Sequence, residues 1–169
     1  MESNKSKVRL VEVGIKNFEE LVELEIFESQ YNFVADNCYS LAEAYANISN
    51  GRYAKPFGIY VGDEPVGFLM IGYNISDADA DREKFPLLID NYLIWRFMID
   101  KKHQKKGYGR EAMKLALDFI RTFPCGKAEY CWLSYNPENE VARKLYGSFG
   151  FEEMKMPDGW DEVPAVLKL

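Results

Sequence analysis

Residues 91–100 read NYLIWRFMID, and a short polar turn later the chain continues HQKKGYGREAM over residues 103–113. An apolar and aromatic run of strand length, without polar alternation, needs cover on both faces and reads as a central strand of a sheet. The helix that follows runs from about Gly107 to Thr122. Met113, Ala116, Leu117 and Ile120 fall on one face, with Arg110, Lys114, Asp118 and Arg121 mostly on the other, and Pro124 and Gly126 stop it.

A buried strand, a glycine-containing turn and a helix start in succession suit an anionic phosphate group. The first N–H groups of a helix lack intrahelical acceptors, the helix dipole puts partial positive charge there, and glycine lets the backbone approach closely. Gly107 and Gly109 hold such positions, and Lys105, Lys106 and Arg110 add charge. The turn is not a Walker A loop, because no Gly-Lys-Ser/Thr ends it. It is not a dinucleotide fingerprint either, since residue 112 is Ala where a third glycine belongs.

The remaining elements are legible from period and punctuation. Val8 to Val13 reads as a strand, and Asn17 to Ser29 as a helix, with Asn17 as N-cap, Glu20 three residues on, and Leu21, Leu24 and Phe27 at helical spacing. A second helix spans Ser40 to Ile48, started by Ser40 and Glu43 and ended by Asn50-Gly51. PFGIYVGDEPVGFLMIGYN is a hairpin around Gly62-Asp63-Glu64-Pro65, and the acidic segment 76–86 is a surface loop. AEYCWLSY is a strand, NPENEVARKLYGSF a helix, and GFEEMK and VPAVLKL are strands around Asp158-Gly159. The expected class is α/β (α+β): a mixed, mostly antiparallel sheet flanked by helices, in the order β-α-α-β-β-β-α-β-α-β-β.

Composition limits the function classes. At 169 residues and 47% hydrophobic, one domain with a real core is expected. A net charge of −6 argues against a nucleic-acid surface and fits a cationic partner. No apolar run reaches the roughly 18 residues that cross a bilayer, and MESNKSKVRL has no signal-peptide core, so the cytoplasm is the expected location. Cys38, Cys125 and Cys131 form neither a disulfide framework nor a zinc ribbon, and His103 is the sole histidine; no metal is expected.

Downstream, Asn139, Ala142, Leu145, Tyr146, Gly150 and Phe151 fall in the pattern N-x-x-A-x-x-L-Y-x-x-x-G-F. Together with Q-x-x-G-x-G at Gln104, Gly107 and Gly109, this resembles the GNAT superfamily of acetyl-coenzyme A-dependent N-acetyltransferases, and the element order fits that fold. KPFGIYVGDEPVGFLMIGY and WRFMIDKKHQKKGYGREAM look most like bacterial spermine/spermidine acetyltransferases. One position departs: Lys105 stands where the superfamily often has glycine. A backbone-binding loop tolerates that change if Lys105 keeps a negative φ.

The resemblance implies that Gln104, Lys105, Lys106, Gly107, Tyr108, Gly109 and Arg110 cradle the diphosphate of coenzyme A, while Phe97, Met98 and Ile99 offer the strand edge that pairs with its pantetheine arm. An N–H of that strand would polarise the thioester carbonyl, without the sequence saying which. Tyr146 matches the family's general acid for the leaving thiolate; the alternative is packing beside Leu145. Asn139 either contacts the coenzyme or competes with Asn136 as a helix cap.

The acceptor ammonium must lose a proton, which a carboxylate can take. Glu25, Glu28, Asp36, Asp77, Asp79, Asp81 and Glu83 all remain open for that role, with Glu28 and Asp36 preferred as substrate-binding groups. Trp95, Tyr31 and Tyr39 are available as aromatic faces for a cation, or as packing. The resulting expectation is direct acetyl transfer to a primary amine of a polyamine, by a homodimer. The alternatives are another amine (an aminoglycoside, an amino acid or a peptide N-terminus) or a coenzyme A-binding module without turnover.

Overall fold

The computed structural model describes residues 8–74, 83 and 85–169. Asp77, Asp79, Asp81 and most of the acidic segment 76–86 lie outside the described residues. The strands are β1 (Val8–Glu12), β2 (Tyr53–Val61), β3 (Glu64–Tyr73), β4 (Tyr92–Ile99), β5 (Tyr130–Tyr135), β6 (Glu152–Glu153) and β7 (Val163–Lys168). Among the described residues, the α-helices include α1 (Phe18–Val22), α2 (Asn37–Ser49), α3 (Tyr108–Ile120) and α4 (Glu140–Gly147), with 3-10 turns at Glu28–Gln30 and Pro86–Leu88. This is the order read from the sequence. The strands form one seven-stranded sheet, β1-β2-β3-β4-β5-β7-β6, antiparallel at every pairing except β4 with β5.

Helix α3 buries Ala112, Met113, Ala116, Leu117 and Ile120, which includes the face expected from its periodicity. These side chains pack on Ile59, Leu69, Ile71, Tyr92 and Ile94 of the sheet. Each large aliphatic chain removed from water there contributes about 1.5–3 kcal/mol. A second apolar cluster joins Ala44 of α2 to Phe68, Met70 and Met98. The central strand is therefore covered on both faces, as its composition requires.

The first helix is much shorter than its apolar spacing predicts. It stops at Val22 because the following segment is captured by the turn after β4. The buried Asp100 carboxylate accepts the Glu25 N–H at 2.9 Å, and the Glu25 carbonyl accepts the Lys101 N–H at 2.7 Å. Two strong tertiary hydrogen bonds outweigh the few tenths of a kcal/mol that separate helix formers from one another. The second helix begins three residues before Ser40. Asp36 is its cap, accepting the Tyr39 N–H at 2.7 Å, while Ser40 is buried and donates its hydroxyl to the Asp36 carbonyl.

Two irregularities open the sheet. The β3–β4 register places Arg96 opposite Met70 but Ile94 opposite Ile71, leaving Trp95 as an extra residue. The bulge slips the in-out alternation, so Tyr92 and Ile94 share a cluster with Phe97 and Ile99 instead of with Met98. Second, β4 and β5 are in register only at Tyr92↔Cys131 and Leu93↔Trp132. Beyond Leu93 the two strands part, and among the described residues β4 has no strand partner on that side.

Candidate active site

The parting of β4 and β5 creates a cleft of about 730 Å³. One wall is the free edge of β4, from Trp95 through Ile99; the others come from the turn before α3, one side of α4, β5, and the segment following Ile26. Alternation on β5 sets two chemical halves. Cys131, Leu133 and Tyr135 point into the cluster shared with α3 and α4, whereas Trp132 packs in a separate aromatic group with Phe85 and Trp160. The cleft is lined from both groups, so it runs through the sheet.

At the α3 end, Gly107 is the helix N-cap residue with φ +88°, a left-handed conformation that costs glycine little. The N–H groups of Gly107, Tyr108 and Gly109 have no hydrogen-bond partner among the described residues. Gly109 is less demanding, since a Cβ there would lie 3.6 Å from Ile99 and 3.8 Å from Phe97, ordinary packing distances. Lys105 departs from expectation. Its φ is +62°, not negative, so this lysine holds a conformation that costs L-residues roughly 1–2 kcal/mol.

Lys105, Gly107, Tyr108, Gly109 and Arg110 line the cleft, whereas the exposed Lys106 does not; its ammonium lies 3.5 Å from His103 Nδ1. Arg110 donates to Ser148 Oγ at 2.9 Å and sits 5.5 Å over the Phe149 ring. The Gln104 side chain reaches the cleft but is spent internally, donating to the Ile99 carbonyl at 3.0 Å and to Gln30 Oε1 at 2.8 Å. Three free amides, a helix N-terminus and two cleft-facing cations form a donor set suited to a diphosphate. The unpartnered β4 edge at Phe97, Met98 and Ile99 suits an amide-bearing arm. Coenzyme A therefore fits the residues present.

On α4, Tyr146 is 8% exposed and lines the cleft, its ring 5.6 Å from Tyr135 and 6.0 Å from Phe151. Its hydroxyl makes no hydrogen bond among the described residues. Burial first, then the nearby Glu162 carboxylate and Tyr135, pushes the phenol well above its ordinary value, so it holds its proton at neutral pH. Asn139 lines the cleft and also caps α4, accepting the Ala142 N–H at 3.1 Å. Between the two asparagines the helix cap is Asn139; Asn136 instead accepts the Glu138 N–H.

The preferred acceptor-side carboxylates do not line the cleft. Glu28 is exposed in its 3-10 turn, Asp36 is engaged in capping α2, and Glu25 pairs with Lys101 at 2.6 Å. Trp95 does line the cleft, but the Arg96 guanidinium lies 5.5 Å from its ring centroid. Arg96 is itself paired with Glu43 at 2.6 Å. Tyr31 borders the cleft, while Tyr39 does not. The cleft carboxylate that sequence reasoning missed is Glu162, bound to the Ser134 hydroxyl. Nothing around Glu162 in the sequence marks it; the β5–β7 pairing brings it there.

A sheet parted after the first residues of a central parallel pairing, with a helix N-terminus and free amides at the gap and a buried phenol across it, defines an acyltransferase fold. Residues 18–151 match the acetyltransferase (GNAT) family. The chain belongs to that family and is an acetyl-coenzyme A-dependent N-acetyltransferase. Over 132 residues it is 28% identical to the probable spermine N(1)-acetyltransferase of Bacillus subtilis subsp. natto (strain BEST195), covering 78% of this chain and 79% of the relative. It is 27% identical to the spermine/spermidine N(1)-acetyltransferase of Bacillus subtilis (strain 168) with the same coverage. Among solved structures, the aminoglycoside acetyltransferase AAC(6')-Ib in complex with coenzyme A superposes with a TM-score of 0.74 at 16% identity, covering 96% of this chain and 95% of that one. The PaiA N-acetyltransferase of Thermoplasma acidophilum in complex with coenzyme A gives 0.65 at 15% identity, over 96% and 99% of the two chains.

Proposed function

We propose that this enzyme acetylates a primary amine of a polyamine such as spermidine or spermine. The observation that carries the choice of acceptor is the similarity to the two Bacillus polyamine acetyltransferases over more than three quarters of each chain. The likeness to AAC(6')-Ib, at 16% identity, bears on the fold alone. The acidic balance of the chain, −6, agrees with a polycation drawn in by long-range attraction.

In this reading the coenzyme supplies an activated acetyl thioester. The amides of Gly107, Tyr108 and Gly109, with Lys105 and Arg110, hold its diphosphate, and Lys106 adds charge from outside the cleft. Gln104 shapes that turn, while Phe97, Met98 and Ile99 present the edge that orients the arm. An N–H of the β4 edge would polarise the thioester carbonyl and favour charge developing on its oxygen. Asn139 lines the cleft beside α4, and Tyr146 would donate a proton to the departing sulfur. Trp95 forms part of the acceptor wall. Glu28 and Asp36 act as outlying charges that attract the polycation, since neither borders the cleft.

Cytoplasmic location and a homodimer belong to the same reading. Among the described residues no helix is long and apolar enough to cross a membrane. Acetyl-coenzyme A consumption with a panel of spermidine, spermine, an aminoglycoside, free amino acids and a peptide N-terminus tests the acceptor. Spermidine and spermine are expected to turn over; if both stay inert while another amine reacts, the polyamine assignment is wrong.

A further inference from the structure

We infer that Glu162 binds the acceptor ammonium and takes its proton, which rests on the amine-acetyltransfer reading above. Glu162 is the one carboxylate among the described residues that lines the cleft. The residue precedes β7, where Pro164 pairs with Ser134 of β5. With a strand period of two, Glu162 lies diagonal to Ser134 on the same face, within side-chain reach. The Ser134 hydroxyl donates to Glu162 Oε2 and fixes the carboxylate over the cleft.

Its charge balance separates Glu162 from every other charged group at this end. Arg96, the cleft-lining cation of β4, is neutralised by Glu43 and caps the Trp95 ring. Glu162 has no cationic partner among the described residues, although it is partly buried. A half-desolvated carboxylate with one neutral hydrogen bond is under-compensated, and an arriving ammonium would supply the missing charge. Ser134 and Trp132 are alternate residues of β5 and share a face, so the indole wall lies beside the carboxylate. A cation entering from the Trp132 side meets Glu162 there, and across the gap stands Tyr146, close enough for Glu162 to perturb its phenol.

The ammonium gives one proton to Glu162, which returns it to water, and the freed nitrogen lone pair forms the bond to the acetyl carbon. The carbon–sulfur bond breaks, the sulfur takes the Tyr146 proton, and the second nitrogen proton restores the phenol through water. The products are the neutral amide, the free thiol and one proton.

Glu162→Gln keeps the shape and the Ser134 contact while removing the charge. We expect its kcat/KM for spermidine to fall about 100-fold. Calorimetry should show spermidine binding to the coenzyme A-loaded enzyme weakened at least tenfold, with coenzyme affinity within a few-fold of the wild type. Glu162→Asp should recover part of the loss, which a packing role would not give. Ser134→Ala, which frees the carboxylate, should raise the spermidine KM several-fold and carries the test if Glu162→Gln fails to bind coenzyme. An active wild type with a Glu162→Gln variant of unchanged kcat/KM and unchanged spermidine binding overturns the role of Glu162. A wild type that binds coenzyme but acetylates no amine overturns the acetyl-transfer reading instead.

Discussion

Gln104 and Gln30 exchange their side-chain amides across the mouth of the cleft. Gln104 Nε2 lies 2.8 Å from Gln30 Oε1, and Gln30 Nε2 lies 3.2 Å from Gln104 Oε1. With its further bond to the Ile99 carbonyl, Gln104 ties the turn before α3 to the end of β4 and to the 3-10 turn at Glu28–Gln30. A residue matched by motif to the coenzyme turn thus acts on that turn's shape.

Gln104→Ala should lower coenzyme A affinity about tenfold, because the turn loses three side-chain hydrogen bonds that hold its shape, each worth roughly 0.5–1.5 kcal/mol. Gln30→Ala, on the other side, should produce a smaller loss in the same direction. Titration calorimetry decides, and an effect from neither variant would show that the turn keeps its shape unaided.

Tyr146→Phe should depress kcat by roughly 100-fold or more while the KM for acetyl-coenzyme A stays within a few-fold. The phenol is raised above its ordinary value by burial and by Glu162, so it keeps its proton as pH climbs toward 10. The wild-type kcat should accordingly show no alkaline limb from this group below about pH 10. Steady-state kinetics from pH 7 to 10 on both proteins provides the check.

Lys105 and Gly107 both occupy left-handed backbone, at φ +62° and +88°. Lys105→Gly should relieve strain, offset in part by the added freedom of the unfolded chain, for a net gain of up to about 1 kcal/mol. Gly107→Ala should lose about 1 kcal/mol by conformation alone, because a Cβ there meets nothing within 4 Å. Thermal melts should move in opposite directions for the two variants. Lys105→Gly should also bind coenzyme less tightly at low salt, having lost a cleft-facing charge.

Stability should decline in alkali. Tyr53 and Tyr60 are each pushed up to about 12, by burial first and then, for Tyr60, by its hydrogen bond to Glu20. Tyr135 is raised likewise by burial and Glu153. The unfolded chain releases these protons near pH 10 while the folded chain retains them. Above pH 10 the unfolded state therefore binds fewer protons, and stability falls as pH rises toward 12. Melting temperatures should be flat with respect to these groups from pH 8 to 9.5 and drop beyond pH 10, alongside tyrosinate absorbance.

Much of this protein was readable along the chain because its signals are local. The period of Met113, Ala116, Leu117 and Ile120, the unbroken apolar run of β4, and the spacing of Gln104, Gly107, Gly109, Asn139 and Tyr146 each depend on neighbours within a turn or two. Those determined the order of elements, the family and the end of the cleft proposed to receive the coenzyme. The tertiary structure decided where pairing at a distance overrode local preference. Asp100 pulled Glu25 out of the first helix, and a bulge at Trp95 slipped the faces of β4. The short β4–β5 register opened the cleft, and β7 returned alongside β5 to set Glu162 into it. A carboxylate placed by strand register has no local signature, because its neighbours in space are separated from it by whole elements of sequence.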